Sequence, residues 1–215
     1  MKKPDMKRLA RMQALIAHDE AFAGFGVSLA GMDEAGRGPL LGPVTAACVI
    51  MPREPRLPWV DDSKKLSPAR REEMFAAIRE CALYIGVGEA TAEEIDTVNI
   101  LNATKLAMAR AAASCPATLC LMDAVTGLPL PFETKSIIHG DAVSYSIAAS
   151  SIIAKVTRDK EIAALAEAYP HYGLDRNMGY GTAEHIAAIQ RFGACPAHRR
   201  SFIGKWIGQT GSDDR

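Results

Sequence analysis

Apolar positions in this chain follow two rhythms, one helical and one β-like, and the rhythm changes along its length. Residues 6–22 space Leu9, Met12, Leu15, Ile16 and Ala21 among basic residues, which predicts an amphipathic helix. Unbroken β-prone runs then appear at Val27–Met32 and Val44–Met51 (VTAACVIM). The Gly- and Pro-rich turn at Gly36–Pro43 between them predicts a hairpin with a wide, specialised connection. Residues 52–68 are studded with proline and read as a loop. Ser67 as N-cap and Pro68 in the first turn then predict a helix to Cys81. A third strand is predicted at 83–90 (LYIGVGEA), a capping-box pattern at Thr91–Glu94 opens a short helix, and an alanine-rich helix follows over 97–113. The runs ATLCLMD (117–123) and TKSIIHGD (134–141) read as strands four and five. Ile152, Ile153, Val156 and Ala163 recur at helical spacing, so 142–168 reads as one long helix. A Gly/Asn-rich loop at 171–181, a helix from Thr182 to Phe192 and a basic helix near 197–208 follow.

Three early strands able to run as a meander, then strands alternating with helices, predict an α/β protein with a mixed sheet covered by helices. No internal repeat, low-complexity tract or dividing linker is visible, and 215 residues suffice for one domain with a sizeable core. The 25 basic and 25 acidic residues cancel, which excludes a broadly basic, histone-like binder and leaves room only for a local basic patch. Cys48, Cys81, Cys115, Cys120 and Cys195 are scattered and without zinc-like spacing, and read as free thiols of a reducing compartment. The charged N-terminal stretch never reaches the apolar core of a signal peptide, and no window approaches 18 uninterrupted apolar residues. The expectation is a cytoplasmic protein with no membrane partner.

The chemistry gathers where strands end. The stretch GMDEAGRGP sets Asp33 and Glu34 side by side after a buried-looking run, and Asp123 and Asp141 close the fourth and fifth predicted strands. Open α/β sheets place ligands beyond their strand ends, and three or four carboxylates in one cleft suit Mg²⁺ or Mn²⁺. Each acid also has a plainer reading. Asp141 after Gly140 suits a helix N-cap, Asp123 suits the start of a turn, and Asp33 and Glu34 point to opposite faces unless the strand bends. On these residues alone a metal site and ordinary caps remain alternatives.

Six segments in register settle a resemblance over about Gly24–Trp206. GMDEAGRGPLLGPVTAA, DDSKKLS, LMDA, HGDAVSYSIAASSIIAKVTRD, MGYGTAEH and HRRSF occur in this order, and the chain resembles type 2 ribonuclease H, bacterial ribonuclease HII. The resemblance implies a ribonuclease H-like fold, a five-stranded mixed sheet flanked by helices with a small C-terminal helical part. It also implies endonucleolytic hydrolysis of RNA in RNA–DNA hybrids and cutting at single ribonucleotides in duplex DNA, by two divalent ions (Mg²⁺ or Mn²⁺), leaving 5′-phosphate and 3′-hydroxyl ends. By motif, Asp33, Glu34, Asp123 and Asp141 resemble the family's four-carboxylate metal site. Gly36, Arg37 and Gly38 resemble its ribonucleotide-reading Gly-Arg-Gly, and Tyr180 the tyrosine beside it. Lys64 and Lys65 are phosphate-contact candidates. Residues 24–209 would form the catalytic domain, 1–23 a helical extension and 210–215 a flexible tail; a monomer is expected.

The stretch 191–207 carries four Lys/Arg and no acid, so Arg199 and Arg200, near Phe202 and Trp206, are expected to grip a phosphate backbone. Lys155, Arg158 and Asp159 read as a surface ion-pairing group, and His171, His185 and His198 as loop or surface positions. The small run Ala148–Ser151 is expected to let a helix approach the sheet closely near the site.

Overall fold

A computed structural model of the chain describes residues 4–24 and 26–207. The tail expected at 210–215 lies outside the described residues. Five strands form one sheet in the order β3-β2-β1-β4-β5. β1 (Leu29–Ala35), β2 (Val44–Ile50) and β3 (Tyr84–Ala90) make the predicted antiparallel meander, and β4 (Leu119–Asp123) and β5 (Glu133–Ile137) run parallel to β1. β2 is buried at every position, which is why it reads as a continuous apolar run instead of an alternating one.

β1 does not stop at Met32. Asp33 stays paired with Ala47 and Glu34 with Ala46, so β1 runs regularly to the sheet's end, without the bend that would bring both carboxylates into one site. The fifth strand is also shorter than expected. It ends at Ile137, and the remainder turns through His139, in a left-handed conformation, into α4 (Gly140–Val143). Ser144 then accepts a hydrogen bond from the Ile147 amide and opens α5 (Tyr145–Ala168), so the long helix predicted over 142–168 is two helices.

One face of the sheet packs on α3 (Ala92–Ala112), which follows the Thr91–Glu94 capping box and is interrupted at Asn99, where φ is 68°. The other face packs on α5, flanked by α2 (Pro68–Cys81) and α1 (Met6–Glu20). The small run on α5 does what its composition suggests: Ser150 Oγ donates to the Gly31 carbonyl at 2.7 Å, drawing helix and β1 together. α1 is tied to this layer. Arg8 and Arg11 reach Asp61 at 2.8 and 2.7 Å, Arg11 also donates to the Ala142 carbonyl, and Asp19 accepts from the Ser146 amide. The C-terminal part comprises α6 (Leu174–Asn177), α7 (Ala183–Phe192) and α8 (Arg200–Ile207), gathered with Leu40 and Leu41 around a separate apolar cluster. All five cysteines are free, with Cys48, Cys120 and Cys195 buried. Among the described residues no helix is long and apolar enough to cross a membrane.

Candidate active site

At the C-terminal ends of β1 and β4 the structure brings Asp33, Asp123 and Asp141 together, each with a carboxylate oxygen within 4.8 Å of the others. Asp33 and Asp123 share the α5 face of adjacent parallel strands, and Asp123 accepts from the Gly140 amide at 2.7 Å, which pins the start of α4 against β4. Asp141 lies in the first turn of that helix and does not cap it; the cap position is His139. Its carboxylate is therefore free to face the other two. Glu34, the fourth expected ligand, is not within this trio. It lines the same cleft, 3.4 Å from Arg37, and its Oε2 is buried without a hydrogen-bond partner.

The electrostatics of this group are those of a site short of cations. Burial, then the charges of Glu34 and Asp123, push Asp33 well above the usual carboxylate range, although the Glu34 amide donates to it at 2.7 Å. Burial raises Asp123, reinforced by Asp141 and opposed by the Gly140 amide. Burial also raises Glu34, against the pull of Arg37. One cation is already present: Lys64 Nζ lies 3.1 Å from Asp141 Oδ2. Burial works against that charge, but Asp141, Asp33 and Asp62 outweigh it and raise Lys64. Converging hard oxygens, an unpartnered buried carboxylate oxygen and carboxyls destabilised by mutual charge fit a divalent cation of the Mg²⁺ or Mn²⁺ type. Lys65 points away, 3.7 Å from Asp62 and half exposed.

Beside the acids lies a cleft of about 240 Å³ lined by Gly36, Arg37, Gly38, Ser63, Lys155 and Tyr180 as well as Asp33, Glu34 and Lys64. The two glycines face opposite ways. At Gly36 φ is +95° and an added Cβ would stand 2.0 Å from Arg158 Nε, so its lack of a side chain serves the protein interior. At Gly38 the nearest obstacle is the Tyr180 ring at 3.6 Å, so that position opens on the cleft. Tyr180 is 48% exposed, with its amide on the Asn177 carbonyl.

The structure departs from three sequence-based expectations. Arg199 does not face a phosphate backbone: it is fully buried, and its guanidinium donates to the carbonyls of Gly36, Arg37, Pro39, Gly42 and Pro43 at 2.6–3.0 Å. Arg200, its neighbour, is exposed, and its amide and that of Ser201 donate to Asp96, which anchors α8 to α3. Arg158 is not a surface ion-pairing residue: it is 1% exposed and donates to Leu41, Pro43 and Met178 carbonyls, while Asp159 pairs with Lys155 and Arg71. His185 and His198 are buried, with their Nε2 atoms 3.1 Å apart. The Tyr180 carbonyl can only accept, so His185 donates from Nδ1 and accepts at Nε2 from His198, whose Nδ1 accepts from the Cys195 amide. This chain of bonds runs from the Cys195–His198 turn before α8 through α7 to the backbone of Tyr180. His171 is exposed, as expected.

An acidic floor suited to a divalent cation, at the end of a mixed five-stranded sheet and with Lys64, Lys155 and Arg37 beside it, is the layout of a metal-dependent nuclease of the ribonuclease H type. The comparisons narrow the class. A family model of ribonuclease HII matches residues 30–205. Ribonuclease HII of Geobacillus thermodenitrificans (strain NG80-2) is 53% identical over 196 residues, covering 89% of this chain and 75% of that protein. Ribonuclease HII of Geobacter sulfurreducens (strain ATCC 51573 / DSM 12127 / PCA) is 52% identical over 180 residues, covering 82% of each. Among solved structures, the ribonuclease H2 from Pyrococcus horikoshii OT3 superposes with a TM-score of 0.72 at 26% identity, covering 84% of this chain and 97% of its own. The chain belongs to the ribonuclease HII family. It is a ribonuclease H-type endoribonuclease acting on the RNA of RNA–DNA hybrids, and it is metal-dependent as its family is.

Proposed function

We propose that the chain cleaves both long RNA–DNA hybrids and single ribonucleotides embedded in duplex DNA, with two divalent ions, Mg²⁺ or Mn²⁺, leaving 5′-phosphate and 3′-hydroxyl ends. The observation that carries this reading is that Asp33 belongs both to the Asp33–Asp123–Asp141 trio and to the lining of the cleft formed with the Gly36–Arg37–Gly38 loop and Tyr180. The sole group that separates RNA from DNA at a given nucleotide is the 2′-hydroxyl, and a backbone loop bare of side chains can reach it. Gly38, open to the cleft, supplies that access, and Tyr180 lies against it so that a ring face meets the neighbouring sugar.

Asp33, Asp123 and Asp141 would hold the ions, with Glu34 at the edge of the set. When bound, the ions would supply the charge that these carboxylates lack and polarise the scissile phosphate and its attacking water. In the net reaction a water oxygen joins phosphorus, the bond from phosphorus to the 3′ oxygen breaks, and that oxygen leaves protonated. Lys64 holds Asp141 in place, and Arg37 and Lys155 meet the phosphates on either side. Calorimetric titration of Mg²⁺ and of Mn²⁺ tests the assignment. Wild type should take up metal with proton release and Asp33→Asn should lose most of that uptake together with turnover, while duplex binding survives. Undiminished metal uptake in Asp33→Asn would remove the trio from the mechanism.

A further inference from the structure

Arg158 and Arg199 are buried cations, and among the described residues neither is within ion-pair distance of a carboxylate. A buried guanidinium is costly unless its donors are satisfied. Arg199 satisfies all of them. Its five N–H groups meet five carbonyls: Gly42 from Nε, Arg37 and Pro39 from Nη1, Gly36 and Pro43 from Nη2. Four of those carbonyls lie inside the Gly36–Gly42 loop and the fifth follows directly.

This inward grip has an outward consequence. In a trans peptide the carbonyl of one residue and the amide of the next point in opposite directions, and the peptides from Gly36 to Gly38 are trans. With the Gly36 and Arg37 carbonyls on Arg199, the amides of Arg37 and Gly38 point away from it, toward the cleft. The next amide along the loop shows where that side faces: with the Pro39 carbonyl on Arg199, the Leu40 amide donates to the Gly179 carbonyl at 2.7 Å, beside Tyr180. Arg158 completes the frame, joining Leu41 and Pro43 to the Met178 carbonyl and so fixing the two loops to each other.

We propose that Arg199 is a positioning residue for sugar selection, holding the Arg37 and Gly38 amides outward as a fixed pair of donors for the oxygen of a 2′-hydroxyl. The inference rests on the reading that this loop recognises the ribonucleotide. Lysine is no substitute for arginine here, because three donors on a point charge leave at least two of the five carbonyls free and release the loop.

The test compares two constants in one metal-containing buffer: KM for a duplex with a single ribonucleotide, and the inhibition constant of the same duplex in all-DNA form. Their ratio is the sugar selectivity. In Arg199→Lys, assayed well below its melting temperature, the ratio should fall about tenfold, the equivalent of about one hydrogen bond, while the all-DNA inhibition constant stays at the wild-type value. A purely structural residue would leave the ratio intact. Gly38→Ala, which blocks the open face without touching Arg199, separates the two levels. If Gly38→Ala keeps full selectivity, the loop does not read the sugar and the underlying reading fails. If Gly38→Ala loses selectivity and Arg199→Lys keeps it, the role of Arg199 fails. Amide hydrogen exchange in the wild-type protein decides the case even if Arg199→Lys does not fold. The Arg37 and Gly38 amides should exchange freely without substrate, and strong protection of both would show them pointing inward and overturn the proposal.

Discussion

Gly36→Ala and Gly38→Ala are the same chemical change two residues apart, and the structure makes opposite demands on them. At Gly36 an L side chain must adopt a φ of +95°, and its Cβ would sit 2.0 Å from Arg158 Nε and 2.9 Å from the Pro43 carbonyl oxygen. The backbone strain is about 2 kcal/mol. The clash pushes Arg158 Nε off the Pro43 carbonyl at 3.3 Å, and that one charge-assisted hydrogen bond lost adds about 2 kcal/mol. Gly36→Ala should therefore lose about 4 kcal/mol, which in a chain of this size lowers the melting temperature by roughly 8–16 °C. At Gly38 the added methyl meets only the Tyr180 ring at ordinary contact distance, 3.6 Å. Gly38→Ala should match wild type or gain about 0.5 kcal/mol from a stiffer unfolded chain. Urea unfolding at pH 7, read by far-UV circular dichroism, measures both. Equal stabilities for the two variants would mean that Arg158 is not seated behind Gly36, and the frame around the loop would be wrong.

Other consequences concern the supports of the site. Burial and the neighbouring His185 pull His198 down to about 4 from an ordinary 6.5. The fold thus favours the neutral ring: this stabilisation is complete above pH 6.5 and is lost as pH falls toward 4, by about 3 kcal/mol at 1.36 kcal/mol per pKa unit. Unfolding midpoints between pH 7 and pH 4 should show this loss in wild type and little of it in His198→Gln. Arg11→Met leaves the buried Asp61 with Arg8 and the Asp62 amide alone and should lower stability at pH 7 by about 1–2 kcal/mol. Burial raises the Asp61 carboxyl, but Arg11 outweighs it and holds the group below 3.8. The Arg11 contribution is therefore present above that pH and fades as pH falls through the depressed value; coincident midpoints at pH 7 would refute it. Arg200→Ala and Lys65→Ala, both exposed, should each reduce the log–log salt slope of duplex binding by about 0.9 if they neutralise a phosphate; unchanged slopes would assign them to the solvated surface.

Much of the frame was legible because its signals are local. Ser67 and Pro68 open α2, Thr91 and Glu94 open α3, and the run at 44–50 is apolar throughout because β2 is covered on both faces. The three converging aspartates were legible as acids after strands, although their geometry was not. Whether Glu34 joins them depends on β1 staying in register with β2 to Ala35, which no residue near Met32 announces. The break at Ser144 was missed because helical spacing continues across it. Arg158, Arg199, His185 and His198 were misread for one shared reason. Charged or polar side chains look exposed when their partners are acidic neighbours or none, whereas here the partners are carbonyls and a ring nitrogen brought in from distant segments. Nothing in the residue types distinguishes buried Arg199 from exposed Arg200 beside it. The absence of any acid in 191–207 hinted at unpaired cations, and it pointed as readily to solvent as to a buried loop.

The central claim is that the acidic trio and the Gly36–Gly38 loop act on the same nucleotide, the one to cut and the other to check its sugar. Cleavage of end-labelled duplexes carrying zero, one or four ribonucleotides, with Mg²⁺ and with Mn²⁺, tests it most directly. The account predicts cutting at one and at four ribonucleotides, with 5′-phosphate and 3′-hydroxyl ends. It also predicts discrimination against the all-DNA duplex of roughly 10⁴-fold, as expected of a site that hydrogen-bonds a hydroxyl the DNA lacks. Cleavage of the all-DNA duplex at a rate comparable to the single-ribonucleotide duplex would contradict it.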